Sequence, residues 1–286
     1  GIWSKVGTGL SGKGISVRTL SLDAASGNLL VGGHFTRAGG VTSANIATWS
    51  PARKRWLALG TGLKSDVVTA ALAGDGTVYA AGRFVDGLVS TWNPTTKVWS
   101  TVGDARLFSD LPTSMVVDSL GHPLIGRGVG WYGEAIQKIE PAAPGGLIAL
   151  GGGVSYPRRT AWVTAMATLS DGTVAVGGYF AKAGALDSPN LAVWDPITQR
   201  YTTIGTGLAI EPDALASSAF GTLYAATRVR SAAPGGNGGR CIGVWATQAP
   251  AAPVGATLTA GRGTIRVNWT LPADSTEATG WIATAT

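Results

Sequence analysis

The 286-residue sequence predicts an all-β fold, a five-bladed β-propeller, because three features repeat along almost its whole length. An aromatic or apolar residue followed four positions later by Gly begins at positions 3, 56, 99, 147 and 201. A second column, usually Trp-x-Pro, begins at positions 49, 92, 139, 194 and 245, and a third is a Gly-rich apolar strand such as residues 27–35. The spacing is too long for paired-helix solenoids and matches a four-stranded propeller blade.

Each repeat is predicted to form four strands joined by short turns, as the second repeat illustrates. Alternating apolar residues indicate strands over residues 68–73, 77–84, 87–92 and 99–102. Gly76 supplies the positive φ that the first turn needs, and Pro94 presets the dihedral of the turn between the third and fourth strands. The same frame applies to the other four repeats.

The strand count at the two ends of the chain predicts how the ring closes. The chain opens in a fourth strand at residues 2–6, and its last repeat stops after a third strand at residues 241–246. Pairing of these fragments would complete the fifth blade and remove two unpaired edges. We therefore expect a closed propeller over residues 1–247. The alternative is a larger ring from which earlier blades were cut away.

The composition changes after Trp245. Residues 248–255 form a Pro/Ala-rich linker, and residues 256–286 resemble the first three strands of a fibronectin type III domain. Trp269 stands where that family has its core Trp, and Trp281 where it has an aromatic on the next strand. The resemblance implies a partial β-sandwich that lacks most of its seven strands, so we expect the polypeptide to continue or another chain to complete it. The first residue is Gly rather than Met, which is typical of a processed or excised piece.

Residues 31–49, VGGHFTRAGGVTSANIATW, resemble the delta-type propeller repeats of bacteria and phage tails, GG-x-F-T-x-A-G-G followed by N-I-A-x-W. Residues 176–194 repeat most of this motif. Other repeats depart from it, with Val129 and Val229 in place of Phe and Ile139 in place of Trp. The resemblance implies a secreted, surface-attached or virion protein whose propeller mediates interactions, and it brings no shared catalytic residues.

Composition excludes several classes of function. The net charge of +6 comes from Lys and Arg residues that are scattered along the chain, so no nucleic-acid-binding patch is predicted. The single Cys, Cys241, excludes an internal disulfide and a thiolate metal cluster. With only His34 and His122 available, a His-based metal site or triad is not expected. No apolar run approaches the roughly 20 residues that cross a bilayer, and neither a cofactor nor membrane insertion is predicted.

The irregular insertions all fall on one end of the ring, where strand two connects to strand three and strand four to the next blade. Variable loops on a rigid scaffold concentrate binding residues, so we place the functional face there. A column at the end of strand two reads His34, Arg83, Gly128, Tyr179 and Arg228, with Arg127 beside the Gly. Its basic groups suit an anionic or carbohydrate ligand, and Trp131 and Tyr132 suit stacking on a sugar. The alternative is that these groups bind loop backbone or pack.

The sequence therefore favours a non-enzymatic adhesion module of a phage-tail appendage or secreted bacterial surface protein. Its expected partners are a host-surface glycan or protein and neighbouring subunits of a larger assembly, and its expected location is the virion, the extracellular space or the cell surface. One alternative is a glycan-active hydrolase with two loop carboxylates as acid and nucleophile, drawn from Asp66, Asp104, Asp110, Glu211 and Asp213. The other is a purely architectural virion or matrix component.

Overall fold

The structure, a computed structural model, describes residues 4–23, 26–84, 89–102, 112–128, 135–143, 146–218, 221–229, 239–245, 254–261 and 264–270. All regular structure in these ranges is β-strand, which confirms the predicted all-β class. No helix there has the length and apolar character needed to cross a bilayer.

The first two blades are antiparallel sheets whose strand order follows the chain. A short strand, β1 (Leu10–Ser11), precedes them. Blade 1 contains β2 (Ser16–Leu22), β3 (Leu29–His34), β6 (Ile46–Ser50) and β7 (Arg55–Ala58), with β4 (Arg37–Ala38) and β5 (Val41–Thr42) inserted between β3 and β6. Blade 2 contains β8 (Val67–Leu72), β9 (Val78–Gly82), β10 (Val89–Asn93) and β11 (Val98–Val102). The strands predicted for the second repeat are thus confirmed within a few residues.

The next three sheets repeat this order. Blade 3 contains β12 (Pro112–Val117), β13 (Pro123–Arg127), β14 (Ile136–Ile139) and β15 (Leu147–Ala149). After β16 (Val154–Ser155), blade 4 contains β17 (Trp162–Thr168), β18 (Val174–Tyr179), β21 (Leu191–Asp195) and β22 (Arg200–Thr203), with β19 (Lys182–Ala183) and β20 (Leu186–Asp187) inserted. Blade 5 contains β23 (Pro212–Ser217), β24 (Leu223–Val229) and β25 (Gly239–Trp245), three strands in the described ranges.

Two insertions predicted to be irregular are in fact ordered hairpins. In blade 1, β4 and β5 form a hairpin that pairs with β1, and in blade 4 the hairpin of β19 and β20 pairs with β16. Phe35 and Phe180, which the repeat motif supplies just before each hairpin, are fully buried beneath them. Blade 1 carries the whole GG-x-F-T-x-A-G-G motif and blade 4 most of it, so this motif accompanies the small three-stranded sheet in both blades.

The Trp and Gly columns have a shared structural reason. Trp49 and Trp56 are opposite each other on β6 and β7 with ring centroids 5.6 Å apart, and Trp56 Nε1 donates to the Val6 carbonyl. Gly7 has φ of 55°, and a Cβ there would lie 2.8 Å from the Trp49 ring. Trp99 Nε1 likewise donates to the Leu59 carbonyl beside Gly60. Each aromatic pair therefore packs on the glycine of the link that enters its own blade.

Apolar clusters lie between successive blades and form the core. Leu30 and Ile46 of blade 1 pack on Val67 and Val78 of blade 2, and corresponding clusters join blades 2 to 3, 3 to 4 and 4 to 5. Antiparallel sheets that pack face to face in chain order in this way are the blades of a β-propeller.

The predicted closure of a five-bladed ring is not confirmed. Residues 4–6 adopt no strand and contact blade 1, while residues 1–3, including Trp3, lie outside the described ranges. No described strand pairs with the free edge of β25. The number of blades in the complete ring, the domain boundaries at 247 and 255, and the fibronectin type III likeness stay predictions. Of the last region, the structure describes an antiparallel hairpin, β26 (Val254–Gly261) and β27 (Thr264–Thr270).

Candidate ligand-binding site at the loop face

A cavity of about 530 Å³ runs between the innermost strands of the five blades. Every one of these strands contains a β-bulge at the same position, where one residue has no partner in the register. The bulged residues are Arg18, Val68, Thr113, Thr164 and Asp213. A bulge twists a strand and turns a side chain away from its regular direction. Because each bulge lies near the start of strand one, these residues encircle the loop-face end of the channel.

Asp66 joins blade 2 to blade 1 at this end through two basic partners. Arg18 Nη2 lies 3.2 Å from Asp66 Oδ2, and His34 Nδ1 lies 2.6 Å from Asp66 Oδ1. His34 Nε2 is 3.0 Å from the carbonyl oxygen of Lys13. Both acceptors can be satisfied only if both ring nitrogens carry hydrogen, so the geometry favours the imidazolium. In agreement, the hydrogen bond and charge of Asp66 raise the pKa of His34 above its usual 6.5.

Arg83 completes a group that we call the Asp66 cluster, made of Arg18, His34, Asp66 and Arg83. Arg83 is exposed, and it lines a cavity of about 490 Å³ together with Arg18, Ser65, Asp66 and Val68. The Arg18 guanidinium and the His34 ring contact the Asp66 carboxylate, and Arg83 lines the same cavity, so basic side chains outnumber the carboxylate in the cluster. Guanidinium groups bind carboxylate, sulfate and phosphate through paired hydrogen bonds. The cavity therefore suits an anionic group.

Arg228, the blade 5 member of the predicted column, is in a different situation. Its Nε donates to Asp213 Oδ2 at 2.8 Å, within the same blade. Asp213 is the bulged residue of β23 and also lines the central channel. Arg228 is thus held by a local carboxylate and balances its charge.

The third blade departs from the column. Arg127 occupies the position that glycines 33, 82 and 178 hold in blades 1, 2 and 4, and its side chain is buried. Its Nη1 donates to Gln137 Oε1 on the neighbouring strand at 3.2 Å. The structure therefore does not bring Arg127 to the exposed face. Trp131 and Tyr132 lie outside the described residues.

Tyr179 is the centre of an aromatic stack on blade 4. The Trp162 ring lies 4.4 Å from it on one side and the Tyr156 ring 4.8 Å on the other, both nearly parallel to it. Arg159 Nη1 donates to the Tyr179 hydroxyl at 2.9 Å, and its guanidinium lies 5.5 Å from the Tyr156 ring. Both faces of Tyr179 are occupied, so a sugar could reach only its edge.

Two of the carboxylates considered for hydrolysis are held in ion pairs. Asp66 contacts Arg18 and His34, and Asp213 contacts Arg228. Asp104 and Asp110 lie outside the described residues. Glu211 lines a separate cavity of about 470 Å³ beside Tyr156 and Tyr179. Among the described residues, no group of three or more His, Cys, Asp or Glu side chains could hold a metal ion.

Sequence reasoning did not assign to the site four of the residues that shape this face: Arg18, Tyr156, Arg159 and Trp162. Arg18 could not be predicted from the sequence. The direction of its side chain depends on a β-bulge, and a bulge does not change the alternation of apolar residues in a recognisable way. Trp162 pairs with Tyr179 across β17 and β18, as Ser16 pairs with His34 in blade 1. Aligning the first strands as well as the second would have found it.

Comparison with known proteins agrees with the propeller fold. The family described as the Rax2 C-terminal beta propeller domain matches residues 4–117, less than half of the chain. No curated protein matches the chain in sequence.

Several solved structures from Bacteroides thetaiotaomicron are similar in shape. The extracellular domain assigned to a one-component system is 16% identical with a TM-score of 0.46, covering 76% of this chain and 31% of its own. The extracellular domain assigned to a hybrid two-component system is 15% identical with a TM-score of 0.47, and the match covers 76% of this chain and 32% of that one. A structural genomics protein of unknown function is 11% identical with a TM-score of 0.49, covering 74% and 56%. The chain thus matches about a third to just over half of each.

Proposed function

We propose that the chain is a non-enzymatic attachment module that binds an acidic glycan at the loop face. The observation that carries this proposal is the Asp66 cluster, where Arg18 and His34 contact one carboxylate and Arg83 lines the same cavity. The propeller fold supports a binding role, because its rigid blades present loops from several repeats to one ligand.

The size of the cavity favours a saccharide over a partner protein. Its volume of about 490 Å³ lies within the range of small-ligand pockets, roughly 300–1,000 Å³. A stable protein partner would instead need a broad surface, on the order of 800 Å² on each side. Carboxylated or sulfated sugars combine the required negative charge with this size. The resemblance of residues 31–49 to bacterial and phage-tail repeats supports a location on a virion or a cell surface, in host attachment.

Removing the two cluster arginines tests the proposal directly. We expect Arg18→Ala with Arg83→Ala to weaken binding of heparin and of sialylated oligosaccharides at least tenfold, since a hydrogen bond to a charged group contributes about 1.5–3 kcal/mol. Surface plasmon resonance on immobilised glycans, at a fixed salt concentration, measures this change.

The matched control is Arg53→Ala with Arg200→Ala. It removes the same charge from two exposed arginines at the opposite end of blades 1 and 4. If both double variants bind equally well, or lose affinity equally, the cluster is not the site. If the unaltered chain binds an acidic protein but no glycan, and the cluster variant loses that binding, the site is correct and the proposed ligand class is wrong.

A further inference from the structure

Among the described residues, blades 1 and 5 each expose an apolar face. On blade 1, Val17, Leu20 and Leu22 of β2 are exposed to solvent. On blade 5, the exposed residues are Tyr224 of β24 and Ile242 and Val244 of β25. We call these the leading face and the trailing face.

The leading face is a surface that later blades bury. Leu20 pairs with Val31 in the same register in which Ala70 pairs with Ala80 and Met166 with Val176. Leu20 is 60% exposed, whereas Ala70 is 2% and Met166 6% exposed, because the preceding blade covers them. The opening segment covers only the outer part of the blade 1 face, where Val6 and Leu10 meet the Trp49 and Trp56 region.

The trailing face is the corresponding surface at the other end. Ile242 pairs with Ala226 in the register in which Leu191 of blade 4 pairs with Gly177. Ile242 is 71% exposed, while Leu191 is 3% exposed because blade 5 packs on it. The aligned Val244 is exposed and its blade 4 equivalent, Val193, is buried.

These two faces are complementary, because the same pair of surfaces meets four times within the chain. A trailing face packs on a leading face between blades 1 and 2, 2 and 3, 3 and 4, and 4 and 5. We infer that the trailing face of one copy binds the leading face of a second copy, so that the chain associates head to tail. A second copy carries the required complementary surface with the spacing that the established contacts already use. Such a contact joins two different surfaces and is heterologous.

Two variants that each lose one face test this inference. Leu20→Asp with Leu22→Asp removes the leading face, and Ile242→Asp with Val244→Asp removes the trailing face. All four positions are exposed, so folding should be retained, which near-ultraviolet circular dichroism checks. The unaltered chain should show an apparent mass above 28.9 kDa that rises with concentration in sedimentation equilibrium.

Head-to-tail association predicts a specific result for an equimolar mixture of the two variants. Each variant alone should remain at the mass of one chain, and an equimolar mixture should form a dimer that grows no further, since each member retains one complementary face. The matched control, Val98→Asp with Ile197→Asp, changes exposed apolar residues outside both faces and should associate like the unaltered chain.

Three results would overturn the inference. The first is an unaltered chain that stays monomeric at every concentration, as a ring closed within one molecule would. The second is dimerisation of either single-face variant alone, which indicates contact between like faces. The third is a mixture that remains monomeric although both variants are folded and the unaltered chain associates.

Discussion

At the scale of single residues, His34 owes its charge to its two acceptors. Its imidazolium is stabilised by Asp66 and the Lys13 carbonyl, and the pKa is raised. Below about pH 6.5, the usual value for His, its interaction with Asp66 contributes fully to stability. That contribution is lost as the pH rises through the higher pKa of the folded state.

The same titration should control ligand binding. We expect the affinity for heparin to fall as the pH rises through the raised pKa of His34, because the cluster then loses one positive charge. His34→Gln should remove most of this pH dependence while leaving the arginine contribution. Binding measured by calorimetry from pH 5.5 to 8.5 gives both profiles, and a His122→Gln variant controls for the other histidine. An unaltered pH profile in His34→Gln would exclude His34 from the site.

Arg127 and Arg228 show what a repeat alignment can and cannot predict about single residues. The alignment placed both near the binding column, but Arg127 is buried beside Gln137 and Arg228 is held by Asp213. Of the predicted binding column, only His34 and Arg83 enter the Asp66 cluster. The sequence predicts the charge of each residue in the column and its position along its strand. It does not predict which carboxylate each basic residue contacts, because these contacts depend on bulged residues and on the neighbouring blade.

At the scale of elements, the hairpin of β4 and β5 depends on two glycines with different surroundings. Gly39 has φ of 60°, and a Cβ there would lie 2.4 Å from the Trp56 ring. Gly40 has φ of 82°, and a Cβ there would meet nothing within 4 Å. A side chain at either position would strain the backbone, because both residues have a positive φ. Only at Gly39 would the side chain also clash with the Trp56 ring.

This difference gives a matched pair of variants. Gly40→Ala should lower the free energy of unfolding by about 1–2 kcal/mol, the cost of a left-handed conformation. Gly39→Ala should cost a further ~1–3 kcal/mol because it overpacks the Trp56 pocket. Urea denaturation followed by Trp fluorescence measures both. Equal losses would mean that the close approach to Trp56 has no energetic weight.

The elements themselves were the most predictable level of the structure. The strands of blade 2 follow the predicted boundaries closely, because alternation and Gly or Pro turns act locally. The hairpins after Phe35 and Phe180 were taken for irregular insertions, since strands of two residues are too short to show alternation. Their pairing with β1 and β16 is a contact distant in sequence.

At the scale of the whole molecule, the repeat predicts the blades but not how their ends meet. The interfaces between successive blades follow from the alternation of each strand, which directs one set of apolar residues forward and the other backward. Pairing of residues 2–6 with the last blade rested on counting strands. Val6 takes for blade 1 the place that Leu59, which follows the fourth strand of blade 1, takes for blade 2, and the pairing itself stays a prediction.

The exposed faces also bear on the architectural alternative. An association of copies through the blades would leave the loop face free, because the faces lie on the flanks of the row and the Asp66 cluster at one end of the channel. The proposed ligand binding and the proposed association use different residues, so we expect variants of one to leave the other intact.

The distance between the two faces within one molecule tests most directly whether both faces are free to bind a second copy, on which the proposed association depends. Cys residues introduced at positions 20 and 242 in a Cys241→Ser background carry the spin labels, and the labelled protein is diluted in unlabelled protein. Pulsed electron paramagnetic resonance then measures the distance between the two labels. Sheets packed face to face lie about 10 Å apart. The account predicts a separation well beyond that spacing, with no short population. A single short distance, equal to that of neighbouring blades, would show a closed ring and contradict it.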